Sequence, residues 1–338
     1  IPGAGRTIAE ELGYSTRADH PYFKPYSADR YVGMHTRAED DPFIRYERFV
    51  QIQRPTSLRY NDLKEIVEVN IGYNNLPFQT RSDFFQLNEG SVLVPVTVEL
   101  KNKDLSFVME NGVQVARVAV YGLVRNMGNR IIAEFEDDLL VSLPPQLFDE
   151  GILGSSVYQK IVSLESRGRY KIDLVVKDLT SQSIGVLRTG IIPPQFSSDA
   201  LASSSLILSD SLTKLEDVSK LDEMFVIGDI KVRPSLSESF TGGNPIWLYL
   251  QLYNAALDQS TFAPSLSVTY RVLRDGKRVF EAVDLGGESI QFSSGWRTVL
   301  IKQLPVGHVK GELQLEVQVQ DQISGETLSL SDQFKVEG

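Results

Sequence analysis

Few residues in this chain are equipped for chemistry, and their spacing is uninformative about catalysis. The three histidines are His20, His35 and His308. No His-x-x-x-His or Glu-x-x-His spacing joins them, which leaves a histidine metal site without a pattern. No G-x-S-x-G elbow offers a nucleophile for a triad. We read all three as exposed loop histidines. The absence of cysteine removes disulfides, thiolate zinc sites and cysteine nucleophiles. Carboxylates cluster in AEFEDD, at Glu134, Glu136, Asp137 and Asp138, and again at Glu39, Asp40 and Asp41. A glycosidase needs two such groups facing each other across a cleft, and calcium needs several oxygens from adjacent loops. Neither spacing is present. Glu134 and Glu136 flank Phe135 in alternation, as on the wet face of a strand. TGGN at Thr241 lacks the lysine and the strand-to-helix setting of a phosphate loop. Trp247 and Trp296 are candidate stacking platforms for a sugar, with core or interface packing as the alternative. The expectation is a protein with no catalytic residues, no metal and no cofactor.

From about residue 64 onward the chain consists of short alternating segments broken by Gly, Asn, Asp and Ser, an all-β pattern. An internal repeat organises it. YGLVRNMGNRII from Tyr121 parallels YRVLRDGKRVF from Tyr270, and Asp275-Gly276 is a strong hairpin signal. Upstream, PVTVELKN from Pro95 parallels PIWLYLQLYN from Pro245. Downstream, YKIDLVVKDLTSQSIG from Tyr170 parallels LQLEVQVQDQISGETL from Leu313, which aligns Asp178 with Asp321. Three collinear matches predict two tandem immunoglobulin-like β-sandwiches, at 62–195 and 223–338. Pro95 stands inside the alternating run SVLVPVTVEL, where it cannot donate to a ladder, so it predicts a strand start or an edge. Between the repeats, 196–222 follows Pro193-Pro194 and carries a serine cluster together with Leu201, Leu206, Ile207, Leu208 and Leu212, as expected of a docked linker.

The first 61 residues differ again and predict an extended arm. Thr7 and Glu10 form a capping box with Gly13 at its end, so a short helix is expected near 8–12. Nine aromatics lie between Tyr14 and Tyr60, and eight of the nine basic residues in 1–60 are arginine. Arginine and tyrosine without lysine is the composition of interface cores. Tyr22, Phe23, Tyr26, Tyr31, Arg45 and Arg48 are the expected anchors. The net charge of −10 lies in the body rather than in this segment and argues against nucleic-acid binding. No apolar run reaches the roughly 18–20 residues that cross a bilayer. The chain opens on Ile1 without a signal pattern, and we read it as a mature form whose leader lies upstream.

The runs FIRYERFVQIQRPTSLRYNDLKEIVEVNIGYNNLPFQTRSDFF, VLVPVTVELKNKDL, VYQKI, RYKIDLVVKD, SSLILSD and FVIGDIKVRP resemble the region downstream of the naming motif in GWxTD domain-containing proteins. The motif itself is missing; GWRTV at Gly295 ends in Val299 and sits in a β region. The resemblance implies a β-rich bacterial protein of the cell envelope or the extracellular surface, and supplies no catalytic residue. Together these readings predict a non-enzymatic structural or assembly protein. Its partners would be other proteins or copies of itself, docked through the arm and the sheet edges. The alternative is a polysaccharide-binding β-sandwich that uses Trp247 or Trp296.

Overall fold

The alternating pattern becomes strand almost throughout the computed structural model. It describes residues 61–69, 74–197, 199–214, 225–227, 230–285, 287–306 and 308–337. The expected helix near 8–12, the six arm anchors, His20, His35 and Glu39, Asp40 and Asp41 lie outside these residues. The described chain divides into two compact units, one within Gln53–Gln195 and one within the stretch from Phe196 to Gly338.

In the N-terminal unit, helix α1 (Asn61–Glu68) precedes β1 (Gln79–Ser82), β2 (Phe85–Gln86), β3 (Ser91–Lys101), β4 (Val108–Glu110), β5 (Val113–Asn126), β6 (Ile131–Leu143), β7 (Ser155–Glu165), β8 (Tyr170–Asp178) and β9 (Ile184–Ile191). One sheet sets β3 between β7 and an edge split into β1 and β2. The other runs β6–β5–β8–β9, with β4 beside the start of β5. In the C-terminal unit the strands are β10 (Ala202–Ser203), β11 (Ile207–Ser209), β12 (Leu212–Lys214), β13 (Val226–Ile227), β14 (Ile230–Val232), β15 (Ser239–Thr241), β16 (Ile246–Tyr253), β17 (Leu266–Arg274), β18 (Lys277–Asp284), β19 (Ile290–Ser294), β20 (Arg297–Leu304), β21 (Gly311–Asp321) and β22 (Thr327–Glu337). Here β16 lies between β20 and a split edge of β10 and β11, and the second sheet runs β18–β17–β21–β22 with β15 added in parallel. The pairing order of the first unit thus recurs in the second. The stretch 196–222, expected as a linker, is in its described part built into this unit, because β10 and β11 pair with β16, and β12 with β14.

The core of the C-terminal unit follows from alternation. Leu248, Leu250 and Leu252 of β16 join Val268, Tyr270 and Val272 of β17 and Leu315, Val317 and Val319 of β21 in one cluster, so every second residue of both sheets points inward. In the N-terminal unit, β5 is buried on both faces. Val118, Val120 and Val124 line one side, and Ala119, Tyr121 and Leu123 meet Leu63, Ile66 and Val67 of α1 on the other. Sequence reading missed α1, although its apolar residues at i, i+3 and i+4 mark a helix face. A second covered face is also why AVYGLV reads as a continuous apolar run.

Two equivalences drawn from the sequence are corrected by register. Gly122 pairs with Leu174 and Tyr270 with Val317, each four residues beyond the residue facing the turn aspartate. Tyr270 therefore matches Gly122, not Tyr121. A one-residue slip reverses the face, so Tyr121 sits under α1 while Tyr270 enters the sheet-to-sheet core. The bulk has been exchanged across the strand pair: Gly122 faces Phe135, and Tyr270 faces Ala282. Likewise, Asn102 and Asn254 each donate their N–H across the same strand end, to the carbonyls of Gly154 and Trp296. Seven residues earlier stand Pro95 and Trp247, so Pro245, which precedes β16, is not the counterpart of Pro95. Pro95 is accommodated by the split edge. Its carbonyl accepts from the N–H of Asp83 at 3.1 Å, in the gap between β1 and β2, and in an antiparallel ladder the absent N–H would face that same gap.

A Cβ on Gly122 would lie 2.1 Å from the Phe135 ring. Gly122→Ala is expected to destabilise the N-terminal unit by about 1–3 kcal/mol through overpacking, measured by urea unfolding followed by circular dichroism. Unchanged stability would contradict the exchange of bulk.

Candidate functional site

The residues best suited to chemistry by charge are occupied in holding loops. Asp178 ends β8, and its Oδ2 accepts the N–H of Ser106 at 2.7 Å, from the loop after β3. Its Oδ1 accepts the N–H groups of Thr180 at 2.8 Å and Ser181 at 3.2 Å. Asp321 ends β21 and repeats this atom by atom. Oδ2 accepts from Ala256 at 2.7 Å, and Oδ1 from Ile323 at 2.9 Å and Ser324 at 3.3 Å. Each turn then closes on a left-handed residue, Gln182 (φ 61°) or Gly325 (φ 78°). The flanking crossing is shared too: the N–H of Leu179 donates to the carbonyl of Arg117, and that of Gln322 to Ser265. Both carboxylates are fully buried. Burial alone would push the Asp321 carboxyl up, but the N–H donors of Ala256, Ile323 and Ser324 outweigh it and hold the group below the usual carboxylate value.

Of the AEFEDD acids, all in β6, Asp138 is exposed as a wet strand face predicts, and Glu134 and Asp137 are half-buried. Glu136 is buried. Glu134 accepts the phenol of Tyr121 at 2.7 Å and pairs with Lys64 of α1 at 3.1 Å, fastening helix to sheet. Burial raises the Glu134 carboxyl, yet Tyr121 and Lys64 bring it below its ordinary value. Burial, then the Glu134 hydrogen bond, pushes the Tyr121 phenol far up. Asp137 accepts from Tyr158 of β7 at 2.5 Å and pairs with Lys160 at 3.1 Å, linking the two sheets at their margin. Asp173, buried on β8, is held by Arg188 at 3.1 Å and Arg125 at 3.4 Å. Sequence reading overlooked Asp173; its place between Ile172 and Leu174 in an apolar strand was the available signal.

Trp247 is half-buried near the start of β16, paired with Ser209 and Gln303. Trp296 lies beside the far end of that strand, where its carbonyl accepts the N–H of Asn254. Seven strand residues separate the two positions, roughly 23 Å at the usual rise, so the rings cannot flank one sugar. Trp296 is 37% exposed, with the Arg297 guanidinium 4.3 Å over its ring and Tyr253 5.7 Å away, itself edge-on to Phe196. His308 lies exposed in a turn. A cleft of about 460 Å³ in the C-terminal unit is lined by Glu238, Asp275, Glu312, Phe334 and Lys335, among others, and by none of the residues chosen from sequence. Among the described residues no group of three or more His, Asp or Glu side chains could hold a metal ion, and no helix is long and apolar enough to cross a membrane. No protein-family model matches the chain, and neither does any curated protein.

Since the native Asp321 value is lowered, its contribution is present above about pH 4 and is lost as pH falls through the native value. Both tryptophans lie in the C-terminal unit, so indole fluorescence reports on that unit. Asp321→Asn is expected to cost about 1–3 kcal/mol at pH 7 and to flatten the loss of stability below pH 4. An acid limb as steep as that of the parent would contradict the role given to Asp321. Phenols raised by burial behave oppositely. Tyr121, Tyr158 and Tyr270, the last pushed up to about 12, are raised mainly by burial. Their contribution is complete below about pH 10 and declines as pH rises through the native values. In an ultraviolet titration these phenols should ionise only together with unfolding; ionisation of all thirteen tyrosines near pH 10 in folded protein would contradict their burial.

Proposed function

We propose that the chain is a non-enzymatic structural or assembly protein built from two tandem immunoglobulin-like sandwiches, acting by docking to proteins or to copies of itself. The observation that carries this reading is that the charged groups most suited to catalysis are committed to architecture. Asp178, Asp321, Glu134, Asp137 and Asp173 each hold a loop, a helix or a neighbouring strand. The immunoglobulin-like assignment draws support from strand order. In the C-terminal unit β10/β11, β16, β20 and β19 stand in the positions A, B, E and D, and β18, β17, β21 and β22 in C′, C, F and G. The resemblance to the region that follows the motif in GWxTD domain-containing proteins adds a bacterial envelope or extracellular setting. Docking is favoured over polysaccharide binding because the two tryptophans sit at opposite ends of one strand and Trp296 is already engaged by Arg297.

In this reading the arginine- and tyrosine-rich arm supplies the anchors Tyr22, Phe23, Tyr26, Tyr31, Arg45 and Arg48. Replacing all six by alanine in the full chain is expected to collapse assemblies larger than a dimer, seen by light scattering and electron microscopy. Identical size distributions before and after replacement would overturn the arm's role.

A further inference from the structure

The two units differ most usefully at one edge. Strands β6 and β18 occupy the same position, each paired on one side with the hairpin partner, β5 or β17. The other side of β18 carries no ladder among the described residues. The direction of its free groups can be deduced. Gln322 donates its N–H to the carbonyl of Ser265, which turns Ser265, and with it Ser267, Thr269 and Arg271, toward β21. Leu266, Val268, Tyr270 and Val272 then bond toward β18, through Asp284, Ala282 and Phe280. It follows that Glu281 and Val283 aim their N–H and carbonyl groups outward, at the open edge.

Edge strands usually carry deterrents to self-pairing. β6 has a partial one: its centre is acidic at Glu134, Glu136, Asp137 and Asp138, with Glu136 buried, Lys64 and Lys160 offsetting Glu134 and Asp137, and Asp138 exposed. It carries no basic residue that could answer a carboxylate of a second copy. β18 has the reverse character. KRVFEAVD is basic at its start, with Lys277 and Arg278, and acidic further on at Glu281. Asp284 is spent on its own loop, accepting the N–H groups of Glu288 and Ser289. The irregular register at Val279 places Arg278 opposite Leu273 and Glu281 opposite Arg271, so Arg278 and Glu281 share one face, where they form an ion pair. Val283 is 53% exposed and Leu285 74%. Parallel apposition of two such strands sets like charge on like; antiparallel apposition sets Lys277 and Arg278 of each copy against Glu281 of the other, flanked by exposed Val283 and Leu285.

We propose that β18 is a homodimer edge: two copies of this chain pair antiparallel along β18 and join their five-stranded sheets into one. The proposal rests on the docking reading above but uses a surface separate from the arm, so the two can fail independently. The test is sedimentation of the full chain with the six arm anchors replaced by alanine, over micromolar to hundreds of micromolar concentration. A dimer is expected. Val283→Pro, which removes only an outward N–H, should yield a monomer with the parent's circular dichroism and melting behaviour. Arg278→Glu should weaken the dimer at least about tenfold, and the double exchange R278E with E281R should restore it. A monomer before the edge is touched overturns the proposal and leaves the arm reading standing. A dimer that survives Val283→Pro, or one that the double exchange fails to restore, also overturns it.

Discussion

A buried carboxylate at the end of one strand, satisfied by three backbone N–H groups, organises each half of this molecule. Left without partners, a buried carboxylate costs far more than one hydrogen bond returns. Once Asp178 or Asp321 is buried, the chain must bring the turn N–H groups and the N–H of the loop after the second-position strand to it. That requirement fixes the tight turn between β8 and β9, or β21 and β22. It also fixes where the preceding loop crosses, and so the register of the strands that follow. The sheet order of each unit depends on this node, since β5 and β17 are aligned by the adjoining bonds from Leu179 and Gln322.

On this common frame the two units differ by compensated exchanges. Gly122 with Phe135 in one copy, and Tyr270 with Ala282 in the other, fill the same cross-strand position with bulk from opposite strands. The outer face of β5 and β8 is apolar where it meets α1, whereas β17 and β21 present Thr269, Arg271, Glu316 and Gln318 at the matching places. The edges differ too. β6 is acidic at its centre, whereas β18 is basic at its start and acidic further on. Differences of this kind alter what each unit can meet without altering how it folds.

Much of the fold was legible in the alternation of Val, Leu and Ile and in the repeated hairpins, because a sheet with one wet face writes its period into the chain. The aspartate alignment was legible for a local reason: the turn after Asp178 and the turn after Asp321 have the same length. Register was not. Aligning Tyr121 with Tyr270 matched residue types, while pairing across the sheet answers to the bonds of Val118 and Leu266 opposite the aspartates. Pro95 and Pro245 misled in the same manner, for the break between β1 and β2 that admits Pro95 is a property of a neighbouring strand. The role of AEFEDD was hidden because Lys64, Tyr121, Tyr158 and Lys160 come from three other elements. Helix α1 was overlooked as a short amphipathic stretch next to long alternating ones, and its face is explained only by the sheet beneath it.

The clamp can be tested without any substitution. Ser106 and Ala256 lie in loops, where backbone amides ordinarily exchange with solvent rapidly, yet each donates to a buried carboxylate. Native-state hydrogen exchange, read at these two amides, should show them protected like the central strand amides of their own unit, opening only when that unit unfolds. Exchange of either amide at the rate of an unprotected loop would contradict the account, because the carboxylates would then not be holding the loops on which both sheet orders depend.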